Sequence, residues 1–64
     1  MNNREILREA ASQVRLIAYY LEVSADSKEV NADSLLSAMK YFVEKERIAF
    51  SAINDAFIRE VTSF

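Results

Sequence analysis

The fold is decided by residues 36–64, which read LSAMKYFVEKERIAFSAINDAFIREVTSF. Five apolar residues in this stretch stand seven apart, and together they form what we call the heptad column: Leu36, Val43, Phe50, Phe57 and Phe64. A seven-residue apolar repeat is typical of a long helix that packs one side against another helix. Because the chain contains no glycine and no proline, the usual helix breakers are missing. We predict a helix over about residues 32–62.

A shorter amphipathic pattern precedes the heptad column. Asn2 followed by Glu5 resembles a capping box, which marks the start of a helix. Apolar residues then recur at steps of three and four in a stripe made of Leu7, Ala10, Val14, Ile17 and Leu21, widened by Ile6 and Ala18. This spacing predicts a first helix over about residues 3–24, with the stripe as its core face.

The polar residues between the two patterns predict a loop at about 25–31. Side chains such as Ser, Asp and Asn compete for backbone hydrogen bonds and favour turns and helix caps. The second helix could restart at Asp26 with Glu29, or at Asn31 with Asp33, and we favour Asn31 because the heptad column begins soon after it. The expected fold is a single all-α domain over residues 1–64, a hairpin with a short first helix and a long second one. The alternative is three short helices, with a break near residues 44–47 or 54–55.

The size of the chain predicts self-association. A chain of 64 residues without cysteine or histidine has neither disulfides nor a thiolate zinc site to stabilise a small core. At ~1.5 Å per residue the second helix is about 12 Å longer than the first, so we expect its far end to project beyond the first helix. Pairing of two hairpins into a helical bundle would cover that end. The residues expected to mediate self-association are Leu36, Met39, Val43, Phe50, Ile53, Phe57, Val61 and Phe64.

Composition argues against an enzyme. Histidine, cysteine and glycine are all missing, which removes the usual general base, the thiolate nucleophile and the glycine-rich phosphate loop. We expect no catalytic residues, no cofactor and no metal. Glu46 and Glu60 are in line with Met39 and Ile53 on the apolar side of the second helix. We interpret these glutamates as edge residues with packed stems, or as polar groups that select one register of helix pairing. A basic residue of another chain, such as Arg15 or Arg47, is the expected partner of Glu46.

Two surfaces are candidates for binding a partner. Tyr41, Ile48 and Ala52 are predicted to lie on the side of the second helix away from the heptad column, where they could contact another protein. Arg4, Arg8 and Arg15 fall within roughly 40° of each other on the first helix and could contact phosphates. The net charge of −2 is spread evenly over both halves of the chain, and this favours the protein partner over the nucleic acid.

The expected function is therefore stoichiometric binding by a small homo-oligomeric protein. In size and pattern the chain resembles the short helix–loop–helix plasmid regulators that dimerise into four-helix bundles, although it shares no residue motif with them. Accessory proteins of phages, plasmids and bacterial operons often have this character. The polar start, Met1 to Glu5, has no apolar signal core, and no run of about 18 apolar residues occurs, so we expect a cytoplasmic protein without a membrane span.

Overall fold

The computed structural model describes residues 2–63, which form two helices packed side by side as an antiparallel hairpin. Helix α1 spans Asn3–Ala25 and helix α2 spans Ala32–Thr62. The predicted helical hairpin, with a short first helix and a long second one, is thus confirmed. The alternative with three short helices is wrong, because α2 continues through both of the places where a break was considered.

Both helices begin at the asparagines that the sequence predicts. The backbone N–H of Glu5 donates to Asn2 Oδ1 at 2.9 Å, and the backbone N–H of Ser34 donates to Asn31 Oδ1 at 3.0 Å. Each asparagine thereby satisfies a backbone donor that has no partner within its own helix. Helix α1 ends at a turn in which the Asp26 N–H donates to the carbonyls of Glu22 and Val23, each at 3.2 Å.

The contact between the helices is narrow and rich in small residues. Helix α1 contributes Ile6, Ala10 and Ile17, and helix α2 contributes Ala49 and Ala56; these five are the buried residues of the described chain. Half-buried residues continue the same two rows, namely Gln13, Tyr20 and Ser24 on α1 and Ser34, Ala38, Tyr41, Lys45 and Ala52 on α2. Alanines allow two helix backbones to approach closely, but they bury little apolar area.

Two pairs of residues define how the helices align. The Asn3 side-chain amide donates to Glu60 Oε1 at 2.6 Å, at the end of the hairpin far from the loop. Nearer the loop, the rings of Tyr20 and Tyr41 stack with their centroids 4.3 Å apart. Lys45 Nζ lies 5.4 Å from the centre of the Tyr41 ring, within range of a cation–π interaction.

This alignment corrects the expectation that the far end of α2 projects beyond α1. Because Asn3 reaches Glu60, the first helix covers the second almost to its last turn. The extra length of α2 lies at the loop end instead, where Asp33 and Ser37 line a polar hollow together with Tyr20 and Ser24. Ile53, Phe57, Ile58 and Val61 at the far end are exposed, but not because the end projects: they lie on sides of α2 that α1 does not touch.

Candidate functional site

Helix α2 carries two apolar faces, and only one of them contacts α1. The alanine row that includes Ala49 and Ala56 faces α1 and is buried. On a helix turning ~100° per residue, the row through Met39 and Ile53 lies roughly 90° from this contact and the heptad column lies roughly 150° from it. The largest apolar side chains of α2 are therefore left in solvent; Phe50 is 69% exposed and Phe57 is 62% exposed.

Helix α1 extends this uncovered surface with a row of its own. Leu7, Val14 and Leu21 stand seven residues apart and are all exposed. Leu7 lines one shallow hollow with Ile53 and Phe57, which shows that the uncovered rows of the two helices lie on the same side of the hairpin. We call this side the open face. Its members are Leu7, Val14 and Leu21 of α1 and Leu35, Met39, Phe42, Phe50, Ile53 and Phe57 of α2.

The structure leaves the predicted self-association residues available for contact. Leu36, Met39, Val43, Phe50, Ile53, Phe57 and Val61 are all exposed, and Phe64 lies outside the described residues. Met39, Phe50, Ile53 and Phe57 belong to the open face, whereas Leu36, Val43 and Val61 lie at its outer edge and toward the back of α2. Self-association itself stays a prediction.

The two glutamates on the apolar side of α2 have different surroundings. Glu60 accepts a hydrogen bond from Asn3 and helps to close the end of the hairpin. Glu46 is exposed, between Met39 and Ile53 along the same row. The two glutamates are fourteen residues apart, or about 21 Å along a helix, so they cannot share one ion. Among residues 2–63 no group of three carboxylates converges to hold a metal ion.

The structure corrects the geometry expected for Tyr41, Ile48 and Ala52. Tyr41 stacks on Tyr20 and Ala52 is half-buried, so both lie at the contact between α1 and α2. This happens because α1 packs on the alanine row of α2 and not on the heptad column. Ile48 is the one member of the three on an exposed side, with 36% of its surface accessible. By helical phase, Leu16 and Val23 of α1 are exposed on the same side as Ile48.

The arginine stripe lies on the back of α1. Arg4, Arg8 and Arg15 are all exposed, and their helical phase is roughly opposite to that of Ile6 and Ile17, which contact α2. Arg15 Nη2 donates to Ser12 Oγ at 3.1 Å. The stripe is thus separate from the open face.

Sequence reasoning assigned Leu7, Val14 and Leu21 to the core of the first helix, and this assignment is wrong for a single hairpin because all three are exposed. The seven-residue spacing alone could not separate the two rows of α1, because both rows show it. Leu7, Val14 and Leu21 repeat at seven residues, as the heptad column does, whereas Ile6, Gln13 and Tyr20 form a parallel row one residue earlier. That earlier row includes two polar residues, which hid its role as the contact with α2.

Comparison with family models, with curated proteins and with solved structures finds no match to this chain. Neither helix, over its described residues, is long and apolar enough to cross a membrane. The open face, the side of Ile48 and the arginine stripe are therefore the features that bear on function.

Proposed function

We propose that this chain is a non-enzymatic interaction protein that acts as a homo-oligomer, in the cytoplasm, by binding a protein partner stoichiometrically. The observation that supports the proposal is the distribution of its apolar side chains. Only Ile6, Ala10, Ile17, Ala49 and Ala56 are buried among the described residues, while most of the large apolar residues are exposed. Exposed apolar surface of this extent is typical of a protein–protein interface.

The hairpin has more than one exposed apolar surface. The open face lies on one side, and Leu16, Val23 and Ile48 are exposed on the opposite side. A protein that used the open face for self-association would keep the opposite side free for a different partner. Small proteins without histidine and cysteine often act through such contacts, as accessory proteins of phages, plasmids and bacterial operons do.

The arginine stripe supports a second candidate function, a nucleic-acid-binding regulator. Arg4, Arg8 and Arg15 are exposed on the back of α1, where the contact with α2 does not hinder access. A line of guanidinium groups on an open helix surface suits contacts with phosphates. Acidic residues on the same helix, such as Glu5, Glu9 and Glu22, oppose this role because they repel the phosphate backbone.

Capture experiments with two matched variants separate the candidates. The tagged protein is expressed in its native host and recovered at low and at high salt, and bound protein and nucleic acid are both identified. A protein partner should be retained as salt rises, should remain with the Arg4→Gln, Arg8→Gln, Arg15→Gln triple variant, and should be lost with Leu16→Ser, Ile48→Ser. A bound nucleic acid that is released by salt and lost with the triple variant would overturn the protein-partner proposal.

A further inference from the structure

We infer that the open face is covered by a second copy of this chain, so that two hairpins stack face to face into a four-helix assembly. The inference rests on the proposed function, in which the protein acts as a homo-oligomer, and it names the surface and its occupant. It differs from a bundle built only on the heptad column, because Leu7, Val14 and Leu21 of α1 also take part in the interface.

The hairpin is only one layer of helices thick. The Cα atoms span 54 × 17 × 11 Å, which is a single layer of two helices. Stable domains have at least two layers, because each helix must bury its apolar side against another element. No side chain of the described residues is fully buried. A lone hairpin therefore has only the small core between α1 and α2, and a second layer would enlarge it.

The hairpin is large enough for a second copy to form a stable interface on it. The Cα atoms of the hairpin span 54 by 17 Å, a rectangle of roughly 900 Å², which is large enough to hold an interface of standard size that buries about 800 Å² per partner. A second hairpin offers a face of the same length and width, with apolar residues along its whole extent. Face-to-face stacking about a two-fold axis would cover both open faces at once and leave no apolar end uncovered.

A second copy of the chain is always available to cover the open face. A cover that the fold needs for stability must be present whenever the chain is folded. A second copy satisfies this condition by itself, whereas a different protein would have to be supplied in matching amount. The hydrogen bond between Asn3 and Glu60 closes the end of the hairpin that lies far from the loop. We therefore expect the second copy to pack on the open face and not against that end.

Two isoleucines of α2 provide a matched test. Ile53 is on the open face and is 41% exposed, whereas Ile48 is on the opposite side and is 36% exposed. The change Ile53→Glu should raise the dissociation constant of the assembly by at least about 100-fold, because it places a carboxylate without a partner in an apolar contact. The change Ile48→Glu should leave the mass unchanged. Sedimentation of the purified full chain, from micromolar to millimolar concentration, measures both.

A labelling experiment keeps the test decisive if Ile53→Glu fails to fold. The natural chain has no cysteine, so Met39→Cys reports on the open face and Ser37→Cys on the opposite side. Met39→Cys should react with a maleimide slowly in the assembly and faster on dilution, while the rate for Ser37→Cys should not depend on concentration. Equal and concentration-independent rates at the two positions would overturn the inference.

Three further outcomes would also overturn it. These are a wild-type mass of 7.3 kDa across the whole concentration range, dissociation by Ile48→Glu instead of Ile53→Glu, and a folded monomer whose open face binds a different protein. The first two outcomes are measured on the purified chain, and the third is measured after one other protein has been added to it. A failure of the protein-partner proposal can be distinguished from a failure of this inference. In that case the capture experiment would yield no protein partner, while the purified chain would still self-associate.

Discussion

Tyr20 of α1 and Tyr41 of α2 stack face to face across the hairpin, with ring centroids 4.3 Å apart and ring planes only 10° apart. Most of the remaining contact between the helices is made by alanines and by polar side chains. The two rings are therefore the largest apolar groups that the two helices share near the loop, and together with the Asn3–Glu60 hydrogen bond they define the alignment of the helices.

The Tyr20–Tyr41 stack should contribute measurably to stability. In a double-mutant cycle with Tyr20→Ala and Tyr41→Ala, we expect a coupling free energy of about 0.5–1.5 kcal/mol, the range of aromatic pairs. The neighbouring Tyr19 is exposed, so the cycle of Tyr19→Ala with Tyr41→Ala should give a coupling near zero. Urea denaturation measures both cycles. Equal coupling in the two cycles would show that the stack does not hold the helices together.

The alanine row should not tolerate larger side chains. Ala56→Leu adds volume where α1 and α2 are in contact and should lower the free energy of unfolding by about 1–3 kcal/mol, as overpacking does. Ala11→Leu makes the same change at an exposed position and should alter the free energy of unfolding by less than about 0.5 kcal/mol. Thermal and denaturant unfolding measure the difference. A stabilised Ala56→Leu protein would mean that α1 does not pack on the alanine row.

Asn31, which caps α2, should contribute more to the stability of the protein than an exposed asparagine inside a helix. Asn31→Ala removes the acceptor of the Ser34 N–H and should destabilise the protein by about 1 kcal/mol, whereas Asn31→Ser should retain most of that stability. Asn54→Ala lies in the middle of α2 and should be neutral or slightly stabilising, because alanine has the higher helix propensity. Loss of stability in Asn54→Ala but not in Asn31→Ala would contradict the cap assignment.

Glu46 should limit the strength of self-association. It lies between Met39 and Ile53, two members of the open face, and a charged group in an apolar contact lowers stability while it selects one alignment. We expect Glu46→Leu to lower the dissociation constant of the assembly by about tenfold and to broaden the range of oligomers seen by sedimentation.

Glu44→Leu provides the control for this experiment, because Glu44 lies on the opposite side of α2 and its replacement should not change the dissociation constant. Weaker assembly of the Glu46→Leu protein would instead show that Glu46 binds a basic residue of the other copy, as the sequence suggested for Arg15 or Arg47.

The sequence by itself determined the helices and their ends. Periodicity, the two asparagine caps and the lack of glycine and proline act within a few residues of one another, so α1 and α2 could be predicted almost to the residue. The exposure of Phe57 was also expected from the greater length of the second helix, whereas the exposure of Phe50, in the middle of the heptad column, was not. The helices and their ends depend on local preferences, which can be read along the chain.

Only the tertiary structure decided which face of α2 meets α1. Helix α2 offers both a row of alanines and a column of large apolar residues, and periodicity alone cannot rank two faces of one helix. The hairpin uses the alanine row, with Ala49 and Ala56 buried and Tyr41 stacked on Tyr20. This packing places Tyr41 and Ala52 at the contact between α1 and α2, and it leaves Leu7 beside Phe57 on the open face. The physical reason is that helix pairing depends on how closely two backbones can approach, a property of three-dimensional contact that no single stretch of sequence contains.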